Sequence, residues 1–246
     1  MQFSAPTPLE YFASLVADDT ALPLLEAAAS LAQDDVPTLD VQAVLAEVDG
    51  LARRLRERIA ADAPPAQRLA LLTRFFHGEL GFAGNPNDYY APANSHMHRV
   101  LQTRRGLPIT LAVLWLELAE QAGLRAAGVA FPGHFLVKCR IGLGEAVIDP
   151  LSGQSQSPER LEEMLALYRQ GSGLPDDLEL PLEFFLRAAT SRQILARMLR
   201  NLREAYRFSR DGRRLLQVQQ RLALLLPDDE AEQQALSDLS GRPPLQ

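Results

Sequence analysis

In 246 residues the sequence has a single cysteine, Cys139, and a single lysine, Lys138. One cysteine excludes an internal disulfide and a Cys-rich zinc or iron–sulfur site. It leaves open a catalytic thiol. One lysine among 25 basic residues indicates a bias in nucleotide composition more than a function. No run approaches the 18 or more apolar residues that span a bilayer. The first residues, MQFSAPTPLEYF, lack the basic and apolar regions of a secretory signal, so the expected location is the cytoplasm, with no membrane partner. The net charge of −6 gives no global attraction to nucleic acid or anionic lipid. What remains is a composition, 47% apolar and 23% charged, of an ordinary globular protein.

The pattern along the chain is mostly helical. Thr7 is placed to cap a helix over residues 7–17, with Pro8 at its first position and Leu9, Phe12, Leu15 and Val16 on one stripe. Residues 22–31 and 40–60 continue as helices. In the second, Val41, Val44, Leu45, Val48, Leu51, Leu55 and Ile59 recur at spacings of three and four. After Pro64-Pro65 a helix resumes over 67–79. Residues 81–95 are loop-like, and Ser95 is placed to cap a short helix that Arg104-Arg105-Gly106 ends. Pro108 opens a helix that is apolar nearly all round, predicted to be buried, with Gly123 just past its end.

Beyond Gly123 the period changes to that of strands, at 125–129, 134–141 and 145–148. Helix returns at 158–168. Residues 170–177 form the best linker candidate, which puts a domain boundary near residue 175. The expected domains are therefore 1–175 and 176–246. The fold class is α+β, mostly helical, with a small antiparallel sheet and a C-terminal helical hairpin.

The central stretch places a buried helix, then a strand with His134, then a strand ending at Asp149. Papain-like and transglutaminase-like enzymes place their catalytic groups in that order: a cysteine at the helix N-terminus, a histidine base and an orienting aspartate. The segments Asn85 to Tyr90 (NPNDYY), Asn94-Ser95, RGLPIT from Arg105, GVAFPGHF from Gly128 and Ile148-Asp149-Pro150 resemble the bacterial invasion-regulator family over roughly residues 40–229. That resemblance implies a transglutaminase-like core followed by tetratricopeptide-like helices, and an association with regulation.

The transglutaminase pattern Gly-x-Cys, laid on this chain, gives Gly106, Leu107 and Pro108. Proline has no nucleophile. Cys139 does not replace it: on a regular strand it lies at an odd offset from His134 and points to the other face, unless a bulge intervenes. It reads as an inert buried thiol. Thr110 and Ser95 are alternative hydroxyls, better explained as buried or capping groups. His134 with Asp149 is the candidate catalytic pair, vestigial or weak, and without a protein nucleophile it could act only by activating water.

Tyr89, Asn94, Ser95, Arg105 and Thr110 are the candidate binding residues of the groove. Arg104 and Arg105 are as well explained by pairing with a carboxylate such as Asp88 or Glu145. His96 and His98, two apart on a helix, are expected to diverge by about 200° and not share a metal. His77 reads as an ordinary half-buried residue. No metal or cofactor is expected.

Residues 201–229 match a tetratricopeptide helix–turn–helix, with a turn near Arg210-Asp211-Gly212 and a stop at Pro227. Arg203, Leu215 and Leu222 occupy places normally held by small residues. A second repeat is absent, so these helices must pack on something else. After Asp229 the tail carries Glu230, Glu232, Gln233 and Gln234, then GRPPLQ, and its end is expected to fray. Arginines 197, 200, 203, 207, 210, 213, 214 and 221 make the region basic. They read as a solvated face or as a dock for an acidic partner segment through Arg203 and Arg207. The expected function is a non-catalytic protein- or peptide-binding, regulatory module. The alternative is a hydrolase or acyl-transfer enzyme using His134 and Asp149.

Overall fold

A computed structural model describes residues 6–172 and 180–241. The boundary expected near residue 175 and the final residues of the tail lie outside them. The chain divides into two compact units. One comprises Met1–Glu47, Asn85–Gly106 and Ser191–Gln246; the other comprises Val48–Gly84 and Leu107–Thr190. The fold is α+β and mostly helical.

The second unit holds the sheet. Helix α6 (Pro108–Gln121) has proline at its first position, where a missing N–H costs nothing. Ile109 to Trp115 are all buried, so the all-round apolar pattern did signal a central helix. Four antiparallel strands follow in simple order: β1 (Ala126–Val129), β2 (Leu136–Ile141), β3 (Gly144–Ile148) and β4 (Ser155–Gln156). Val129 pairs with Leu136, and Val137 with Ile148. The fourth strand has no periodic signal because it is two residues long. The second begins at Leu136 rather than His134, since Phe131 to His134 form a turn closed by His134 N–H to the Phe131 carbonyl at 3.1 Å.

One sheet face carries Val129, Leu136 and Val147. With Phe131 they form a core with Leu161 and Leu165 of α7 (Pro158–Ser172). Leu182, Phe185 and Leu186, in and after the short helix α8 (Leu182–Phe185), pack against the same cluster. Helix α6 packs against β1 and β2. Each fully buried aliphatic side chain here is worth about 1.5–3 kcal/mol. Helix α4 (Pro65–Thr73) begins near the expected start but does not run on to 79 as α-helix. Arg74–Glu79 widens to a π-type turn, a form frequent beside functional groups.

The first unit is helical. Helix α1 (Pro8–Leu15) carries a capping box: the Thr7 hydroxyl accepts from Glu10 N–H at 3.2 Å, and Glu10 accepts from Thr7 N–H at 2.8 Å. Helices α2 (Leu24–Ser30) and α3 (Val41–Arg56) follow, the latter divided between the units at Glu47. The helix expected from Ser95 starts two residues later, as α5 (Met97–Thr103).

The hairpin expected at the C-terminus is formed by α9 (Ser191–Phe208) and α10 (Gly212–Leu225), which turn through Arg210 at φ 57°. Helix α9 packs on α2, and α10 on α1. Asp229 caps a further helix, α11 (Glu230–Ser240), through bonds from Ala231 and Glu232 N–H.

The reading of the arginines as a solvated face is corrected for three of them, Arg203, Arg214 and Arg221. Arg221 is buried and gives Asp34 two bonds, of 2.6 and 2.8 Å, while its guanidinium lies 5.0 Å from the centre of the Phe12 ring. Arg214 pairs with Asp35. Arg200 and Arg203 both reach the buried Glu232, at 3.0 and 2.6 Å. Helical periodicity does not register these pairs, because the partners are far away in sequence.

Candidate functional site

His134 and Asp149 come together in the second unit. His134 Nε2 lies 3.1 Å from Asp149 Oδ1. A carboxylate only accepts, so Nε2 is the donor, and in the neutral ring Nδ1 is the acceptor. Nδ1 has no hydrogen-bond partner among the described residues. The pair is accessible, the two side chains being 19% and 22% exposed.

Asp149 is fixed by the turn that follows β3. Its Oδ1 accepts from Leu151 N–H at 2.8 Å, and its carbonyl accepts from Gly153 N–H at 2.7 Å. Burial pushes its pKa up. The bonds from His134 and Leu151 N–H, with the nearby His134 and His77, outweigh that and hold it below the usual carboxylate range. The carboxylate is thus ionised at neutral pH and orients the imidazole.

His77 is more than the ordinary residue its helical pattern suggested. It stands on the π-type turn, and its Nδ1 lies 3.1 Å from the Phe82 carbonyl, so Nδ1 is the donor. Nε2 is buried without a partner. Burial pushes its pKa down, against the Phe82 bond and the charge of Asp149. Its ring lies against the Asp149 turn: a Cβ on Gly153 would meet His77 Cδ2 at 2.4 Å. Gly153 also has φ +73°, a conformation other residues rarely adopt. On the other side, the Tyr168 ring sits over Gly133, next to His134; a Cβ there would meet Tyr168 Cδ2 at 2.9 Å. The glycine of LSG (Leu151 to Gly153) and the histidine before Gly78 were signals that a reading by period alone passes over.

No nucleophile accompanies this base among the described residues. Pro108 opens α6 and is buried. Thr110 is buried in the same turn, its Oγ1 unpartnered. Cys139 is a free, buried thiol, paired across the sheet with Ala126 and Ala146. Burial pushes its pKa up, and its polar contact is the Arg140 carbonyl at 3.9 Å. The strand-parity argument needs one amendment, since His134 precedes the strand. Cys139 still makes no hydrogen bond to His134.

The remaining candidate binding residues belong to the first unit. Asn94 is buried and pins the loop before it: its Nδ2 donates to the carbonyls of Asp88 and Tyr89 at 2.6 and 3.1 Å, and its Oδ1 accepts from Asn85 at 3.1 Å. Ser95 is buried but is not the cap of α5; His96 takes the N-cap position, with no side-chain cap bond. Tyr89 is exposed, edge-on to Tyr90. Arg105 is exposed, and its Nη1 donates to the Arg104 carbonyl at 3.0 Å. Arg104 lies 3.9 Å from Glu47, whereas Glu145 pairs with Lys138. Arg203 is taken up by Glu232 and Gln219, which leaves it poorly placed to meet a partner. Arg207 is exposed and pairs with Glu204 at 2.8 Å.

The expected divergence of His96 and His98 is corrected. Their rings are 5.9 Å apart and within 16° of parallel. His96 precedes the helix with φ −92° and ψ 115°, so helical geometry does not apply to it. It is buried, 3.7 Å from Asp35, and burial pushes its pKa down to about 4. No group of three or more metal-binding side chains occurs among the described residues, and no described helix is long and apolar enough to cross a membrane.

A buried helix, an antiparallel sheet and a His–Asp pair at its edge define a transglutaminase-like domain, and the sequence profile of the transglutaminase-like superfamily matches residues 42–200. A UPF0162 protein of Xylella fastidiosa is 34% identical over 212 residues, covering 86% of this chain and 74% of the relative. One of Pseudomonas aeruginosa is 30% identical over 217 residues, covering 88% and 77%. Human F-box only protein 21 is 38% identical over 84 residues, 34% of this chain and 13% of that protein. No solved structure matches. The chain belongs to the transglutaminase-like superfamily and, within it, to the UPF0162 family.

Proposed function

We propose that the protein is a non-catalytic transglutaminase-like module that binds a protein or peptide partner and acts in regulation, in the cytoplasm, without a cofactor. The observation that carries this is the vacancy in the reaction machinery: Pro108 stands at the first position of α6, and the single thiol is buried in the sheet. Acyl transfer through an enzyme thioester needs an accessible, activated thiol, and Cys139 is neither. The tetratricopeptide-like hairpin α9–α10 supports the partner-binding half of the reading. So does the similarity to F-box only protein 21, where the matched segment is one part of a longer protein. The division into domains at 1–175 and 176–246 belongs to the same proposal.

One observation favours a second reading. The unpartnered Nδ1 of His134, with Asp149 behind it, has the form of a general base for water. Hydrolysis of a panel of activated esters and amides by the wild type and by His134→Ala separates the two. Equal background rates support the binding module. A rate at least tenfold above background that disappears in His134→Ala replaces it with a hydrolase. Iodoacetamide is expected to leave Cys139 unmodified in the folded protein, and rapid alkylation would restore the thiol enzyme.

A further inference from the structure

The first unit gathers charged groups around Asp35, which ends the 3-10 turn Leu31–Asp34. Asp35 Oδ2 accepts from the hydroxyl of Tyr206, on α9, at 2.8 Å. Its Oδ1 accepts from Arg214 Nε, on α10. One carboxylate thus ties both helices of the hairpin, on either side of their turn, to the segment after α2. Arg214 also gives Asp211 a bond of 2.6 Å, and Asp211 is the cap of α10 itself. The same end of α9 has one uncharged tie. Phe208 stacks on Tyr90, with ring centres 5.5 Å apart and planes at 21°.

His96 stands beside that carboxylate without a bond to it. Its Nδ1 is 3.7 Å from Asp35 Oδ2, too far for a hydrogen bond. The residue is 3% exposed, and its Nε2 is buried with no partner among the described residues. His98 stacks on it, and the buried Nδ1 of His98 has no partner either. The other charged groups around the two rings are Asp34 and Asp35 at the 3-10 turn, Arg214 on α10 and Arg99 on α5. Asp34 is already taken by Arg221. A proton on each ring therefore sets three positive charges, with Arg214, against Asp35. Buried cations without partners of their own are costly. Burial accordingly pushes both imidazole pKa values down, that of His96 to about 4.

We propose that His96 and His98 form an acid-operated latch on the hairpin: neutral rings leave Asp35 to Tyr206 and Arg214, and protonated rings take Asp35 for themselves and release the α9–α10 turn. The imidazolium of His96 closes the gap of 3.7 Å to Oδ2 and displaces the Tyr206 hydroxyl, which passes to water. Arg214 leaves Oδ1 and keeps Asp211, which travels with it on α10. The opened end lets water reach His98. The Tyr90–Phe208 stack is already exposed and adds little resistance. Protons are taken up on opening, so the open form gains as pH falls from about 6.5 towards the closed value of about 4. Helix α9 carries no histidine, and its buried residues from Ile194 to Leu202 hold the rest of the hairpin in place.

The test is amide hydrogen exchange of the full chain at pH 7 and pH 5, corrected for the intrinsic pH dependence of exchange. The Asp211 and Leu215 amides report on the turn, being bonded to the carbonyls of Tyr206 and Asp211. Their protection is expected to fall at least about twentyfold from pH 7 to pH 5, the share of His96 alone for values of about 4 closed and 6.5 open. Leu111, bonded to the Leu107 carbonyl at the start of α6, is expected to keep its protection. In His96→Gln the fall is expected to shrink to about threefold or less. His98→Gln, at a half-buried position, is the second variant, with a fall smaller than in wild type. Tyr206→Phe is expected to lower protection at both pH values and keep their ratio, which separates a lost bond from a lost latch. An equal fall in wild type and in both histidine variants overturns the latch. A parallel fall at Leu111 also overturns it, because the chain is then unfolding as a whole.

Discussion

Asp149 holds His134 by Nε2, at 3.1 Å, and is itself held by the N–H of Leu151 at 2.8 Å. The imidazole is therefore oriented by a backbone turn and not by a nucleophile on its other nitrogen. In solution His134 is expected to be the Nε2–H tautomer when neutral, readable from its ring nitrogen shifts. Asp149→Asn is expected to mix the tautomers. The lowered pKa of Asp149 stabilises the fold above the unfolded carboxylate pKa of about 4 and loses that contribution as pH falls through the folded value. Acid denaturation of Asp149→Asn should lack that component. An identical acid limb in both proteins would refute the assignment.

Gly153 and His77 are coupled by contact. Gly153→Ala meets both an unfavourable φ and the imidazole ring, and is expected to cost about 2–3 kcal/mol. His77→Ala should relieve the clash with the ring, but not the one with Thr73 Cγ2 at 2.9 Å nor the backbone part. A double-mutant cycle in urea should then show a coupling of about 1 kcal/mol. Strict additivity would mean that the ring moves aside freely.

His96 makes the fold sensitive to mild acid. Its folded pKa, pushed down to about 4 by burial, lies below the unfolded value of about 6.5. Between these values the unfolded chain binds the extra proton, so stability declines as pH falls from 6.5 to 4. The full loss is on the order of 3 kcal/mol. His96→Gln should flatten the slope of unfolding free energy against pH in that window. A slope unchanged by the substitution would place the titrating group elsewhere.

Glu232 is the anchor of α11. It is buried and accepts from Arg200, Arg203 and Gln219. Glu232→Ala takes a buried carboxylate from the largely buried Arg203, which keeps Gln219, and from Arg200, which keeps Asp229, and is expected to cost about 3 kcal/mol. Glu232→Gln should cost less, because the amide oxygen still accepts. Thermal or urea unfolding checks both, and a neutral Glu232→Ala would show the pairs to be solvent-screened.

Much of this was legible in the sequence because it is local. Thr7 and Glu10 made their capping box, Pro8 and Pro108 opened helices, and the alternation past Gly123 became a sheet. Cys139 was already readable as a core residue from strand parity, and the burial agrees. The pairing of His134 with Asp149 was legible from order and resemblance. Its surroundings were not: His77 lies against the Asp149 turn from the widened stretch Arg74–Glu79, and no period announces such a turn.

The arginines show the same limit. Their spacing marks a polar helical face, and a polar face is ordinarily the solvated one. Which side Arg214, Arg221 and Arg203 show depends on Asp35, Asp34 and Glu232, which arrive from other helices. The sequence by itself determined which stretches are helix and which strand, the proline that opens α6 and the single cysteine, all set by short-range propensity and pattern. Only the tertiary structure decided that Arg203, Arg214 and Arg221 turn to distant carboxylates, that His77 lies against the Asp149 turn, and that Tyr90 meets Phe208. Those depend on contacts between residues distant in sequence, and burial and charge pairing fix them only once the chain has closed.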